Sequence, residues 1–161
     1  MKKTICLSIK LCTFFLLFIS CTNDANNSAV ENLKANQIHV KSLEDVVKNS
    51  GIVNNQLTKF TIAKKLNNFT NHKLSYDEIL EKHFINVTGE DASGQLVAFR
   101  QEVKVDNKNN IITFPKDGRG ESCAGVNCTN CIIKSGGGCK CSAAGIPSEP
   151  SYCNHTVTNP K

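Results

Sequence analysis

Six cysteines crowd the C-terminal part of the chain: Cys123, Cys128, Cys131, Cys139, Cys141 and Cys153, spaced C-x4-C-x2-C-x7-C-x-C-x11-C. Thiols at such spacing can do three things. They can form disulfides, bind a metal, or exchange electrons with other thiols. Large apolar residues are few around them, namely Val126, Ile132, Ile133, Ile146, Tyr152 and Val157. A segment of roughly 40 residues with that content cannot build a core unaided, so cross-links are expected to do part of the work. If Cys139 and Cys141 lie on a strand, their side chains share one face. A bond between them would close a very small ring, so each is expected to reach elsewhere. Ser135–Gly138 can fold that pair back beside Cys128 and Cys131. The sequence does not choose among the possible pairings.

The rival chemistries use the same residues. Cys128, Cys131, Cys139 and Cys141 would offer four thiolates for tetrahedral zinc, with His155 as a further ligand. The first pair has knuckle spacing, whereas a single residue separates the second. The Cys128-Thr129-Asn130-Cys131 run also matches a redox C-x-x-C, which draws its low thiol pKa from the start of a helix. The glycines around it, Gly125 and Gly136–Gly138, leave no room for such a helix. Disulfides are therefore the leading expectation for all six, with no metal site and no cofactor assigned.

The compartment follows from the other end. Lys2, Lys3 and Lys10 precede or border the apolar run Leu11–Ile19, and polar chain begins after Cys21. That run is shorter than the roughly 20 apolar residues a membrane span needs and suits a secretory signal. The stretch Leu17-Phe18-Ile19-Ser20-Cys21 resembles the lipobox of bacterial lipoproteins, with Phe18 where leucine is commonest. The resemblance covers residues 1–21 alone. It implies cleavage between Ser20 and Cys21 and a diacylglyceryl group on the Cys21 thiol. An ordinary signal peptide cut nearby, leaving Cys21 as a plain thiol, is the alternative. Cysteine parity favours lipid: of nine cysteines, Cys6 and Cys12 leave with the signal and Cys21 is acylated. The remaining even set suits disulfides in an oxidising compartment. Thr22, not aspartate, follows Cys21. The resemblance therefore implies an outer-membrane location, facing the periplasm or the surface.

Losing Lys2, Lys3 and Lys10 from the 19 basic residues leaves a net charge of +2 against the 14 acidic ones. That balance and an exported location exclude nucleic acid as a partner. With no tryptophan and two tyrosines, a carbohydrate face of stacked aromatics is not expected.

The elements expected to position these residues form an α+β chain. Residues 1–20 are the signal peptide, and 21–36 hold the lipidated cysteine and a polar, asparagine-rich tether. Residues 37–115 are read as a small domain of three short helices and a β-hairpin. The first helix starts at Ser42 with Asp45 in its first turn, carries Leu43, Val46 and Val47, and stops at Gly51. The second spans about 55–68, with Ile62, Ala63, Leu66 and Phe69 on one face. The third starts at a capping box, Ser75 and Glu78, and lines up Tyr76, Ile79, Leu80, His83 and Phe84. Val97, Phe99, Gln101, Val103 and Val105 then alternate with Ala98, Arg100, Glu102 and Lys104, which predicts a strand. Ile111–Phe114 reads as its returning partner. Pro115–Gly120 marks a boundary, and residues 116–161 are the cysteine-rich module.

Motifs for nucleophilic, metalloprotease or phosphate-binding chemistry are absent. His83 is expected as a core histidine, His39 in an extended segment and His72 in a loop between helices. Glu78 and Glu81 are expected on a helix surface. The sequence thus predicts a non-catalytic binding or structural module at the cell envelope, bound to the membrane through Cys21. Its possible partner is an envelope protein or an extracellular ligand.

Overall fold

The computed structural model describes residues 34–158 apart from 145 and 147. The signal peptide, Ser20, Cys21 and nearly all of the tether lie outside the described residues. Nine strands dominate the described residues: β1 Gln37–His39, β2 Asn67–Asp77, β3 Lys82–Glu90, β4 Leu96–Asp106, β5 Ile111–Thr113, β6 Gly120–Val126, β7 Cys128–Ile133, β8 Cys139–Ala144 and β9 Tyr152–Thr158. The described residues hold one α-helix, α1 Ser50–Leu57, and 3-10 turns at Leu43–Val46 and Ala63–Lys65. No helix among them is long and apolar enough to cross a membrane.

The expected α+β domain of three helices and a hairpin is therefore overturned in favour of a mostly antiparallel β-structure. Ser42 makes no side-chain cap, and Gly51 sits inside α1 instead of ending a helix. The second helix shrinks to the end of α1 and the turn at Ala63–Lys65, and Phe69 belongs to β2. The third does not exist: β2 and β3 form a hairpin in which Ser75 faces Phe84 and Tyr76 faces His83. The would-be capping box is a β-turn, with the Asp77 carboxylate accepting from the N–H groups of Ile79 and Leu80, both at 3.1 Å. Helical spacing was mimicked because Phe84 and Ile85 are both buried, on opposite faces of β3; from Ile85 to Glu90 the strand alternates between buried and half-buried residues.

Seven strands make one sheet. β2, β3 and β4 run side by side, and the far edge of β4 is shared. Its C-terminal end pairs with β5, which carries β1, and its N-terminal half pairs with β6, which carries β9. The β4–β5 pairing is the one expected from alternation, with Val105 opposite Ile112. β6 and β9, on the far side of the proline and glycine run at 115–120, are strands of this same sheet. β7 and β8 form a separate two-stranded hairpin.

Register assigns the two faces, since residues directly opposite in an antiparallel pair point the same way. Ile85 and Val87 lie opposite Gln101 and Phe99. Together with Val97 and Val103 they face the segment 38–66, whose Val40, Val46, Val53, Leu57 and Ala63 close the apolar core. Gln101 is buried on that face and donates to the Gly118 carbonyl at 3.0 Å. Phe84, Ala98, Arg100, Glu121 and Cys123 point the other way, beneath the β7–β8 hairpin.

Candidate functional site

Among the described residues the six cysteines form three disulfides: Cys123–Cys139, Cys128–Cys141 and Cys131–Cys153. They link β6 to β8, β7 to β8 and β7 to β9. Every bond thus holds the hairpin together or to the sheet. Ser135–Gly138 makes the turn that brings Cys139 and Cys141 back along β7, with Gly136, Gly137 and Gly138 all at positive φ. Only glycine adopts such a run without strain. The two cysteines of the C-x-x-C run are not partners of each other. They lie three residues apart on a strand, where regular geometry would turn them to opposite faces. A register irregularity at Asn130 takes up the difference. Thr129 and Asn130 are exposed, and Cys128 and Cys131 are both buried against the sheet.

This arrangement changes what the thiols can do. The four proposed zinc ligands are not brought together, because Cys139 is bonded to Cys123 on β6. A different trio is close: the sulfurs of Cys128, Cys141 and Cys153 lie within 4.8 Å of one another. Cys153 Sγ is 3.7 Å from Cys128 Sγ, although the two belong to different disulfides. Paired as disulfides, these sulfurs carry no thiolate charge with which to hold a cation. A cleft of about 330 Å³ opens beside Cys128, which lines it together with Gln95, Leu96, Asn127 and Thr129. Asn127, at φ +49°, organises the approach to β9. Its side chain accepts from the Ile146 N–H at 2.7 Å and donates to the carbonyls of Ile146 and Glu149 at 2.9 and 3.1 Å. Gly125 is the close-approach point, since a Cβ there would strike the Cys128 carbonyl.

Under the hairpin turn lies an ionic cluster that no local pattern in the sequence announced. Arg100, opposite Glu121 in the β4–β6 register, donates to Glu121 at 3.0 Å and to Asp77 at 2.8 Å. These three side chains are all less than 5% exposed. The guanidinium also lies over the Phe84 ring, 4.2 Å from its centroid. Arg119 donates to the same Glu121 oxygen as Arg100, and His155 Nε2 stands 3.1 Å from the other. Asp77 meets the hairpin directly, accepting from the Gly136 N–H at 2.9 Å and the Ser135 hydroxyl at 3.1 Å. Burial pushes the Asp77 carboxyl up. The Arg100 hydrogen bond, then those from Gly136, Leu80 and Ser135, outweigh it and hold it at about 2. Burial likewise raises Glu121, and Arg100, Arg119 and His155 bring it below the usual carboxylate range. A general base at neutral pH needs a pKa near the working pH. Carboxylates held this low are suited to clamping cations, and here they fasten the hairpin turn to β2, β4 and β6.

The histidines fall elsewhere. His39 is exposed on β1. His72 is buried in β2, not in an interhelical loop, with Nε2 2.6 Å from Asn54 Oδ1, and burial pushes its pKa down. His83 is half-buried and pairs with Tyr76, ring centroids 4.8 Å apart. Both border a groove of about 410 Å³ between the 3-10 turn and β2. Glu78 and Glu81 are exposed in the β2–β3 turn. Asp77, Arg100 and Glu121 were missed because their contacts span 21 and 23 residues of sequence. Only strand register could have revealed them. Comparison of the chain with protein-family models, curated proteins and solved structures finds no match.

Proposed function

We propose that this protein is a lipid-anchored envelope protein, cleaved between Ser20 and Cys21 and acylated on Cys21. Its folded part acts as a non-catalytic binding or structural module displayed at the outer membrane. The observation that carries the reading is the pairing of Cys123, Cys128, Cys131, Cys139, Cys141 and Cys153 into three bonds. A hairpin stapled this way belongs in an oxidising compartment, and the pairing leaves Cys21 over for lipid. The polar stretch after Cys21 supplies the tether. Loops on a cross-linked scaffold suit recognition, because ordering them on binding loses little entropy. Its partner is an envelope protein or an extracellular ligand.

The test is the intact mass of protein extracted from membranes without reductant. It is alkylated in denaturant with chelator, before and after reduction. The reading expects a lipid-sized increment on Cys21 and no alkyl groups until reduction adds one to each of the six cysteines. Loss of the first 20 residues with an unmodified, alkylatable Cys21 would overturn the anchor. Free thiols among the six in unreduced protein would overturn the stapled module.

A further inference from the structure

We propose that the cleft beside Cys128 is a thiol–disulfide exchange site. An incoming thiolate there can convert the pairing Cys128–Cys141 with Cys131–Cys153 into Cys128–Cys153 with Cys131–Cys141, within the same strand arrangement. The second pairing is already built into the geometry. Cys128 Sγ and Cys153 Sγ are 3.7 Å apart. Cys131 and Cys141 are direct register partners on β7 and β8. Directly opposite residues of an antiparallel pair have Cα atoms about 4.5–5.5 Å apart, within the separation a disulfide bridges.

The exchange balances in three steps. An external thiolate, from a low-molecular-weight thiol or a reduced C-x-x-C protein, enters the cleft and attacks Cys128 Sγ. The Cys128–Cys141 bond breaks, a mixed disulfide forms on Cys128, and Cys141 leaves as thiolate. Cys141 then attacks its register partner Cys131, forming Cys131–Cys141 and releasing Cys153 as thiolate. Cys153 attacks its neighbour Cys128, forms Cys128–Cys153 and expels the original thiolate. No net oxidation occurs. Access for the first step comes from the 330 Å³ cleft, which Cys128 lines. The third bond stands apart. Cys123 is fully buried, and Cys123–Cys139 keeps the hairpin attached throughout. The exchange moves the tie between hairpin and β9 from Cys131 to Cys128.

The inference needs the three disulfides of the proposed module but not its lipid or its partner. The alkylation test above fails separately from the one that follows. Full-length protein isolated without reductant is incubated at mildly alkaline pH with catalytic reduced glutathione, or with S-methylglutathione as a control, and quenched with acid. Digestion after lysine and glutamate separates Cys139, Cys141 and Cys153, and fragmentation between Cys128 and Cys131 locates each partner. The expected result is one pairing in the control and both pairings with glutathione, with no rise in free thiol. A single pairing under both conditions overturns the proposal. As a second line, Cys131→Ser/Cys141→Ser and Cys128→Ser/Cys153→Ser variants with the parent circular dichroism are expected to carry no alkylatable thiol among the remaining four cysteines. Two free thiols in such a folded variant overturn the alternative pairing. If neither variant folds, the mapping of the unaltered chain decides.

Discussion

Phe99 and Arg100 are neighbours on β4, and they face different problems. Phe99 points into the layer closed by α1 and the 3-10 turns, where Val53, Leu57, Ile85 and Val87 are at most 3% exposed. Arg100 points beneath the β7–β8 hairpin, where the buried cluster is Cys123, Cys128 and Cys131 with Ala98 beside it. One face is held by apolar area removed from water. The other has little such area and relies on cross-links and paired charges. A hairpin with few apolar side chains stays on a sheet only if something other than burial fixes it. The three disulfides and the Asp77–Arg100–Glu121 clamp supply that.

The sharpest way to break the comparison is to truncate each neighbour. Phe99→Ala is expected to cost about 3–5 kcal/mol through lost transfer energy and a cavity. Arg100→Ala is expected to cost a similar 3–5 kcal/mol or so for a different reason, because Asp77 and Glu121 are left buried and unpaired. Urea denaturation at several pH values separates the two. Without Arg100 the carboxyl pKa values rise, so the charges neutralise on mild acidification. The gap between parent and Arg100→Ala should narrow from pH 7 towards pH 4, while the Phe99→Ala gap stays constant. Equal pH dependence would mean that Arg100 contributes mainly packing.

Removing the staple nearest the sheet is the next largest step. Cys123→Ala/Cys139→Ala deletes a bond of sequence separation 16 and should cost about 2–4 kcal/mol. Hydrogen exchange should quicken most in β7 and β8 and least in β3 and β4, where both neighbours remain paired. Uniform acceleration would show that the two faces melt as one unit.

Acid provides a test of the ionic half alone. Asp77 and Glu121 have folded pKa values below their unfolded ones, Asp77 at about 2 against 3.8. Their contribution is complete above the unfolded values and is lost as pH falls through the folded ones. Stability should therefore drop between about pH 4 and pH 2. Asp77→Asn should flatten that drop while lowering stability at neutral pH. An unchanged acid transition in Asp77→Asn would place the titrating groups elsewhere.

The two faces also differ in how legible they were. Val97, Phe99, Gln101 and Val103 could be read off because the core side of β4 is a simple alternation, and all four are buried. Its pairing with β5 was equally visible. The cysteine positions announced cross-links, and the glycine run announced the turn. Hidden were β2 and β3. Tyr76, Ile79, Leu80, His83 and Phe84 match a helix stripe, yet the seven-residue interval from Tyr76 to His83 is the span of a hairpin. Alternation on β3 starts only at Ile85, because its neighbour Phe84 is buried on the opposite face. The ionic clamp was hidden for a related reason. Arg100 occupies what reads as an outward, solvated position, and nothing local says that a hairpin from far along the chain will cover it.

The smallest expected effect marks the edge of the clamp. Lys82 pairs with Glu102 at 2.7 Å, on the same side of the sheet as Phe84 and Arg100, but its side chain is 43% exposed. Glu102 has a second partner, accepting from the Arg119 N–H at 2.9 Å. Lys82→Ala leaves Glu102, 13% exposed, with the Arg119 N–H still donating to it. The lysine keeps much of its hydration in either state, and holding it in place costs rotamer entropy. The expected loss is about 0.2–1 kcal/mol, shrinking further in high salt. The contrast with Arg100→Ala, a cation-to-alanine change in the adjoining strand on the same face, isolates burial as the cause. A salt-insensitive loss as large as that of Arg100→Ala would extend the desolvated region out to the β2–β3 turn.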